Sequence, residues 1–132
     1  MKRIITFGTF DVLHIGHVRI LQRAKMLGSH LTVGVSTDAL NWSKKQKKTV
    51  YSQYDRVEIV KAISGVDQVF FENSLEEKGQ YIIDHKADVL VMGDDWAGRF
   101  DEFKSICEVV YLPRTEGIST TQLLQEIRAV AS

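Results

Sequence analysis

The sequence predicts an α/β protein: a parallel sheet covered by helices. Three observations carry this. Short aliphatic or β-branched runs alternate with helix-spaced segments from end to end. Several of those runs stop at Gly8, Gly93 or Pro113, as buried strands do before a turn. The chain has 132 residues, enough for one core, and shows no linker, repeat or low-complexity tract, so 1–132 reads as one domain.

The elements follow in order. Residues 3–7 are β-branched and aromatic and end at Gly8, a first strand. Val18, Leu21, Ala24 and Leu27 recur every third residue, so 17–28 reads as a helix stopped by Gly28. Residues 31–36 alternate Leu31, Val33 and Val35 with smaller groups, a second strand. A helix over 52–63 and a short strand over Val66–Phe71 come next. Ser74 and Glu77 have capping-box spacing ahead of a helix through Ile82 and Ile83. Val89–Met92 and Val109–Leu112 are two more buried strands. Ser119 and Gln122 form a second capping box, opening a last helix through Ile127.

Composition narrows the function. Lys+Arg and Asp+Glu are both 17, so the basic excess of a nucleic-acid binder is missing. Cys107 is the only cysteine, which excludes an internal disulfide and a cysteine-rich zinc site. It reads as a buried strand residue rather than a nucleophile. No apolar run reaches the ~18 residues of a membrane span, and the N-terminal apolar stretch is too short for a signal peptide. A cytoplasmic protein without membrane contact is the expectation.

In such sheets, ligands bind beyond the carboxyl ends of the strands. Gly8-Thr9-Phe10-Asp11-Val12-Leu13-His14-Ile15-Gly16-His17 follows the first strand and enters the first helix. The free amides of a helix start favour an anion. Two imidazoles there add donors for charge developing on a phosphate. Gly16 leaves room for a ligand to approach. Metal ligation and plain helix capping by the two histidines are competing readings. No Walker A sequence and no G-x-G-x-x-G is present.

His14-Ile15-Gly16-His17 is the H-x-G-H signature of the nucleotidyltransferase superfamily. From Gly8 to His17 the loop resembles the cytidylyltransferase branch. The last loop, Arg114-Thr115-Glu116-Gly117-Ile118-Ser119-Thr120-Thr121, is similar to that family's R-T-x-G-I-S-T-T string. With Glu116 it looks like the version in glycerol-3-phosphate cytidylyltransferases. By its residues alone, the last loop offers the planar fork of Arg114, a tight turn at Gly117, a cap at Ser119 and the hydroxyls of Thr120 and Thr121.

The resemblance covers nearly the whole chain and implies a Rossmann-like fold of nucleotidyltransferase type, with helices on both faces. It implies transfer of CMP from CTP to sn-glycerol 3-phosphate, with Mg²⁺, in a homodimer. CDP-glycerol, the product, supplies teichoic acids or glycerol-phosphate capsules. It places His14, His17, Lys45, Lys47 and Arg114 in catalysis. CTP would be held by Thr9, Phe10, His14, Gly16, His17, Lys47, Asp94, Trp96 and the loop Arg114, Thr115, Glu116, Gly117, Ile118, Ser119, Thr120 and Thr121. Asp11, Asp38, Lys45, Arg56 and Lys78 would hold the acceptor. No protein ligand for the metal is assigned.

Lys44-Lys45-Gln46-Lys47-Lys48 is the densest charge in the chain. Read alone it is a solvated basic loop, and beside two anionic substrates it is a clamp. Where the family has a second arginine, this chain has Ser64-Gly65-Val66-Asp67, and Lys61 stands one helical turn earlier. The carboxylates of Glu72–Glu77 read as lying away from the cleft. Competing functions are transfer to phosphoethanolamine, phosphocholine or a polyol phosphate, adenylyl transfer, and a non-catalytic nucleotide-binding module.

Overall fold

A computed structural model describes residues 1–115 and 117–131. Five strands form one sheet: β1 (Arg3–Gly8), β2 (His30–Ser36), β3 (Gln68–Glu72), β4 (Val89–Gly93) and β5 (Glu108–Leu112). Every pairing is parallel, and the spatial order is β3-β2-β1-β4-β5. The helices are α1 (Ile15–Lys25), α2 (Asp38–Lys45), α3 (Gln53–Lys61), α4 (Lys78–Asp84) and α5 (Thr120–Ala131).

Strand alternation sorts the core into two layers. Ile4, Leu31, Val33, Val35, Val89 and Val91 face Leu21 and Ala24 of α1 and Val57 and Val60 of α3. Ile5, Phe7, Leu90 and Met92 face Ile82 of α4 on the other side. Helices therefore cover both faces, as the α/β reading requires. Each such aliphatic side chain contributes about 1.5–3 kcal/mol by leaving water.

Several boundaries differ from the sequence reading. The reading has no counterpart for α2, which falls just before the lysine run. Thr37 accepts from the Leu40 amide at its start, and Gln46 turns left-handed at φ 50° to close it. Two of the five residues read as a basic loop, Lys44 and Lys45, thus belong to its last turn. Ser74 does not cap α4. Its hydroxyl donates to Glu76 (2.7 Å), and Glu77 takes the cap position without a side-chain capping bond, its carboxylate accepting from the Tyr81 hydroxyl (3.1 Å) instead. Ser119 does accept from the Gln122 amide (3.1 Å), but the Gln122 side chain turns to Glu126 instead of reaching back. Cys107 is half-buried and just precedes β5, where burial raises its thiol pKa. No helix among the described residues is long and apolar enough to cross a membrane.

Candidate active site

The strand order reverses beside β1, and a cleft of ≈ 720 Å³ opens beyond the carboxyl ends of β1 and β4. It brings together most of the residues singled out from sequence: Thr9, Phe10, Asp11, His14, Gly16 and His17 from one side. Arg114, Thr115, Ile118, Ser119, Thr120 and Thr121 come from the other, and Lys45 and Lys47 from a third.

The two histidines build the start of α1. The Gly16 amide donates to His14 Nδ1 (3.0 Å), and the His14 amide donates to His17 Nδ1 (3.1 Å). This is a capping box made of imidazoles, each Nδ1 serving as an acceptor. The rings stack at 3.8 Å between centroids, and Phe10 lies edge-on against His17. A neutral imidazole that accepts at Nδ1 carries its proton on Nε2. Both rings are therefore Nε2–H donors. Capping and chemistry are not alternatives here, because the cap sets the tautomer. Gly16 has a steric role as well: a Cβ there would sit 2.8 Å from the His14 ring.

Protonation at Nδ1 would break the cap. Burial, and next the neighbouring His14, lower His17 from 6.5 to about 4, with Asp11 pulling the other way. Burial, then Arg114, lowers His14 as well. The unfolded chain therefore takes up the proton first. The stability this represents is complete above about 6.5 and is lost as pH falls toward about 4. For His17 it amounts to on the order of 2–3 kcal/mol. Nitrogen-15 NMR of the imidazoles is expected to show both as Nε2–H at neutral pH, with His17 titrating only near pH 4. A His17 midpoint near 6.5 would contradict the capping geometry.

The opposite wall is the last loop. Arg114 donates to Asp95 (3.1 Å) and to the Ile118 carbonyl (3.4 Å), which aims its guanidinium along the cleft. Gly117 turns at φ 76°, a conformation that a side chain resists. Thr120 Oγ1 donates to the Asp11 carbonyl (3.0 Å), tying the start of α5 to the first loop. The Thr115 hydroxyl is buried and has no hydrogen-bond partner among the described residues. Glu116 lies outside the described residues.

Asp11 lines the cleft, yet its oxygens already accept from the amides of Val12 (3.1 Å), Val50 (2.8 Å) and Tyr51 (2.9 Å). It ties the first loop to the segment after the lysines. A side chamber of ≈ 390 Å³ continues from the cleft past Thr9 and Met92, with Lys44, Lys45 and Lys78 in its walls. Lys78 is not an exposed helical lysine: it is 4% exposed and pairs with Glu72 at 2.6 Å. Glu72, at 2% exposed, is therefore part of the site and not of an acidic surface. Its position at the carboxyl end of β3 was the available signal.

Three expectations are corrected, and Lys61 also stands apart from the site. Arg56 is 0% exposed and lines neither cavity, so it presents no charge to the cleft. Asp38 also lines neither cavity and accepts from Arg56 (2.7 Å) and Thr49 (3.1 Å). Of the acidic pair after β4, Asp95 reaches the cleft, while Asp94 is exposed outside it. Lys61 is exposed at the end of α3 and lines neither cavity. Sequence reasoning missed Asn41. It is 3% exposed and lines the cleft, with its oxygen accepting from Ser36 (2.8 Å) and Thr9 (3.3 Å).

The cytidylyltransferase-like family model matches residues 5–126. The chain belongs to this family. It is 57% identical over 127 residues to the glycerol-3-phosphate cytidylyltransferase of Bacillus subtilis (strain 168), covering 96% of this chain and 98% of that one. It is 46% identical to the enzyme of the same name from Staphylococcus aureus (strain NCTC 8325 / PS 47), covering 96% of both chains. Family membership makes the chain a nucleotidyltransferase. Among solved structures, a lipopolysaccharide core biosynthesis protein from Thermoplasma volcanium GSS1 superposes with a TM-score of 0.74. That match covers 88% of this chain and 99% of the other at 21% identity, so it speaks to the fold alone.

Proposed function

We propose that this family member transfers CMP from CTP to sn-glycerol 3-phosphate, giving CDP-glycerol and pyrophosphate. One observation carries the site assignment: the starts of α1 and α5 open onto one cleft, with Arg114 and the lysines between them. Two helix N-termini and several cations around one space suit a polyphosphate. The relatives' names supply the two substrates.

The chemistry is in-line substitution. An oxygen of the acceptor phosphate forms a bond to the α-phosphorus of CTP. The bond from that phosphorus to the bridging oxygen breaks, and the electron pair leaves with pyrophosphate. The attacking oxygen is already anionic, so neither a general base nor an enzyme nucleophile is needed. The protein positions the reactants and stabilises charge. The Nε2–H groups of His14 and His17 donate to phosphate oxygens. Lys45, Lys47 and Arg114 draw the two anions together.

Among the described residues, no group of three or more His, Cys, Asp or Glu side chains is placed to hold a metal ion. Mg²⁺ would enter as a companion of the triphosphate, and Asp95 is the cleft carboxylate whose oxygen chemistry suits it. The cation would neutralise phosphate charge. The same reading makes the enzyme a cytoplasmic homodimer that supplies glycerol-phosphate polymers such as teichoic acids.

The test is release of pyrophosphate from CTP by the purified chain, across a panel of phospho-alcohols, with ATP as control. Release is expected with CTP only when glycerol 3-phosphate is added. Activity with ATP but not CTP overturns the cytidylyl assignment. Nucleotide binding with no transfer to any acceptor identifies a binding module instead.

A further inference from the structure

The side chamber carries an inference about acceptor choice that deepens the proposed transfer and rests on it. The chamber and the cleft share Phe7, Gly8, Thr9, Lys45, Met92 and Trp96, so they form one continuous space. In-line attack puts the acceptor on the side of the α-phosphorus opposite the pyrophosphate. With the triphosphate along the helix starts, the chamber beyond Lys45 is left for the acceptor and its tail.

Three kinds of group meet deep in that chamber. Aromatic side chains of Phe7, Phe100, Phe103 and Trp96 line it, and the Glu72 carboxylate stands among them. Aromatic faces around a carboxylate are the chemistry that recognises an ammonium group. Here the chain supplies that group itself. The Lys78 ammonium lies 3.8 Å from the Phe7 ring centroid and 5.3 Å from that of Phe100. It is 2.6 Å from Glu72 Oε2. A buried ion pair is poor evidence for stability, because apolar residues of like volume often do as well. Its presence at a ligand site calls for a functional reason.

We propose that Lys78 fills an aromatic–carboxylate cage with its own ammonium, and so restricts the acceptor tail to neutral, hydroxylated groups. A glycerol tail brings hydroxyls that donate to Glu72 and accept from Lys78. An ethanolamine or choline head brings a further cation to the Lys78 ammonium, in a chamber that Lys44 and Lys45 also line. Like charges in such contact are strongly rejected. Lys78 is thus a specificity-determining residue that works partly by repulsion.

The experiment measures kcat/KM at saturating CTP for glycerol 3-phosphate, phosphoethanolamine and phosphocholine. It uses the wild-type chain, Lys78→Ala, Lys78→Gln and the double variant Lys78→Ala/Glu72→Gln. Wild type is expected to favour glycerol 3-phosphate over either ammonium acceptor by about 10³-fold. Lys78→Ala loses efficiency with glycerol 3-phosphate and gains at least about 10-fold in absolute efficiency with phosphocholine. The double variant shows no such gain, since the carboxylate that would hold the ammonium is gone. Lys78→Gln can still donate to Glu72, so it keeps the buried carboxylate bonded and guards against loss of folding, monitored by thermal melts. Its preference for glycerol 3-phosphate should shrink at least about 10-fold.

A parallel fall with all three acceptors in both single variants overturns the proposal. So does a gain in the double variant equal to that in Lys78→Ala. A folded wild-type chain that fails with glycerol 3-phosphate overturns the proposed function beneath, and is distinguishable because it appears before any substitution is made.

Discussion

His14→Asn and His17→Gln are each expected to lower turnover by about 10²–10³-fold while leaving the melting temperature nearly unchanged. The choice of replacements follows from the cap. His14 occupies the N-cap of α1 and accepts from the Gly16 amide. Asparagine is among the strongest N-cap residues, so His14→Asn keeps that bond. His17 reaches back to the His14 amide, as a glutamine does in an ordinary capping box. Neither replacement puts an imidazole Nε2–H into the cleft.

Alanine would remove both functions at once. Losing a cap costs about 1 kcal/mol, and the kinetic loss would be mixed with a structural one. The conservative pair separates them. Steady-state kinetics together with thermal melts read the outcome. A large fall in kcat with an unmoved melting temperature assigns the histidines to transition-state charge. Near-normal turnover in both variants would reduce them to caps and overturn the mechanism.

This pair also shows how far the sequence could be read. The histidines were legible because two local rules coincide at 14–17: a strand end and a helix start. The same holds for Arg114 to Thr121, placed by the last strand and the last helix. The order of strands and helices was legible because each buried run keeps its own period. Other features depend on contacts between distant segments. Whether Lys78 faces water or a chamber is decided by Glu72, Phe7 and Phe100 together. Asn41 reaches the cleft only because α2 forms over 38–45, which eight residues with three lysine or aspartate side chains do not advertise. The Ser74 cap failed because a competing local bond to Glu76 takes the hydroxyl.

Arg56→Met is expected to destabilise the fold by about 2–4 kcal/mol, the largest stability effect predicted for any single site here. The guanidinium is 0% exposed and is spent on four acceptors. It donates to the carbonyls of Tyr51 (3.1 Å), Thr9 (2.9 Å) and Ser36 (2.7 Å), and to the Asp38 carboxylate (2.7 Å). Methionine fills similar volume and satisfies none of them. The Asp38 carboxylate and the Tyr51 carbonyl would keep the Thr49 hydroxyl, but the Thr9 and Ser36 carbonyls would lose the guanidinium, and a buried acceptor left unpaired bears its desolvation cost. Those acceptors lie on the loop after β1, the end of β2, the start of α2 and the segment entering α3, so the arginine joins four pieces around the cleft. Lysine offers a single ammonium with no fork, so Arg56→Lys should recover only part of the loss.

Two measurements separate this role from direct contact with the acceptor. Denaturant unfolding of Arg56→Met should show the lower stability with the slope unchanged. In the folded fraction, KM should rise for CTP as well as for the acceptor, because Thr9 belongs to both cavities. A ligand for the acceptor would behave otherwise, with KM for the acceptor alone rising and stability holding. That result would return Arg56 to the acceptor set from which its burial removes it.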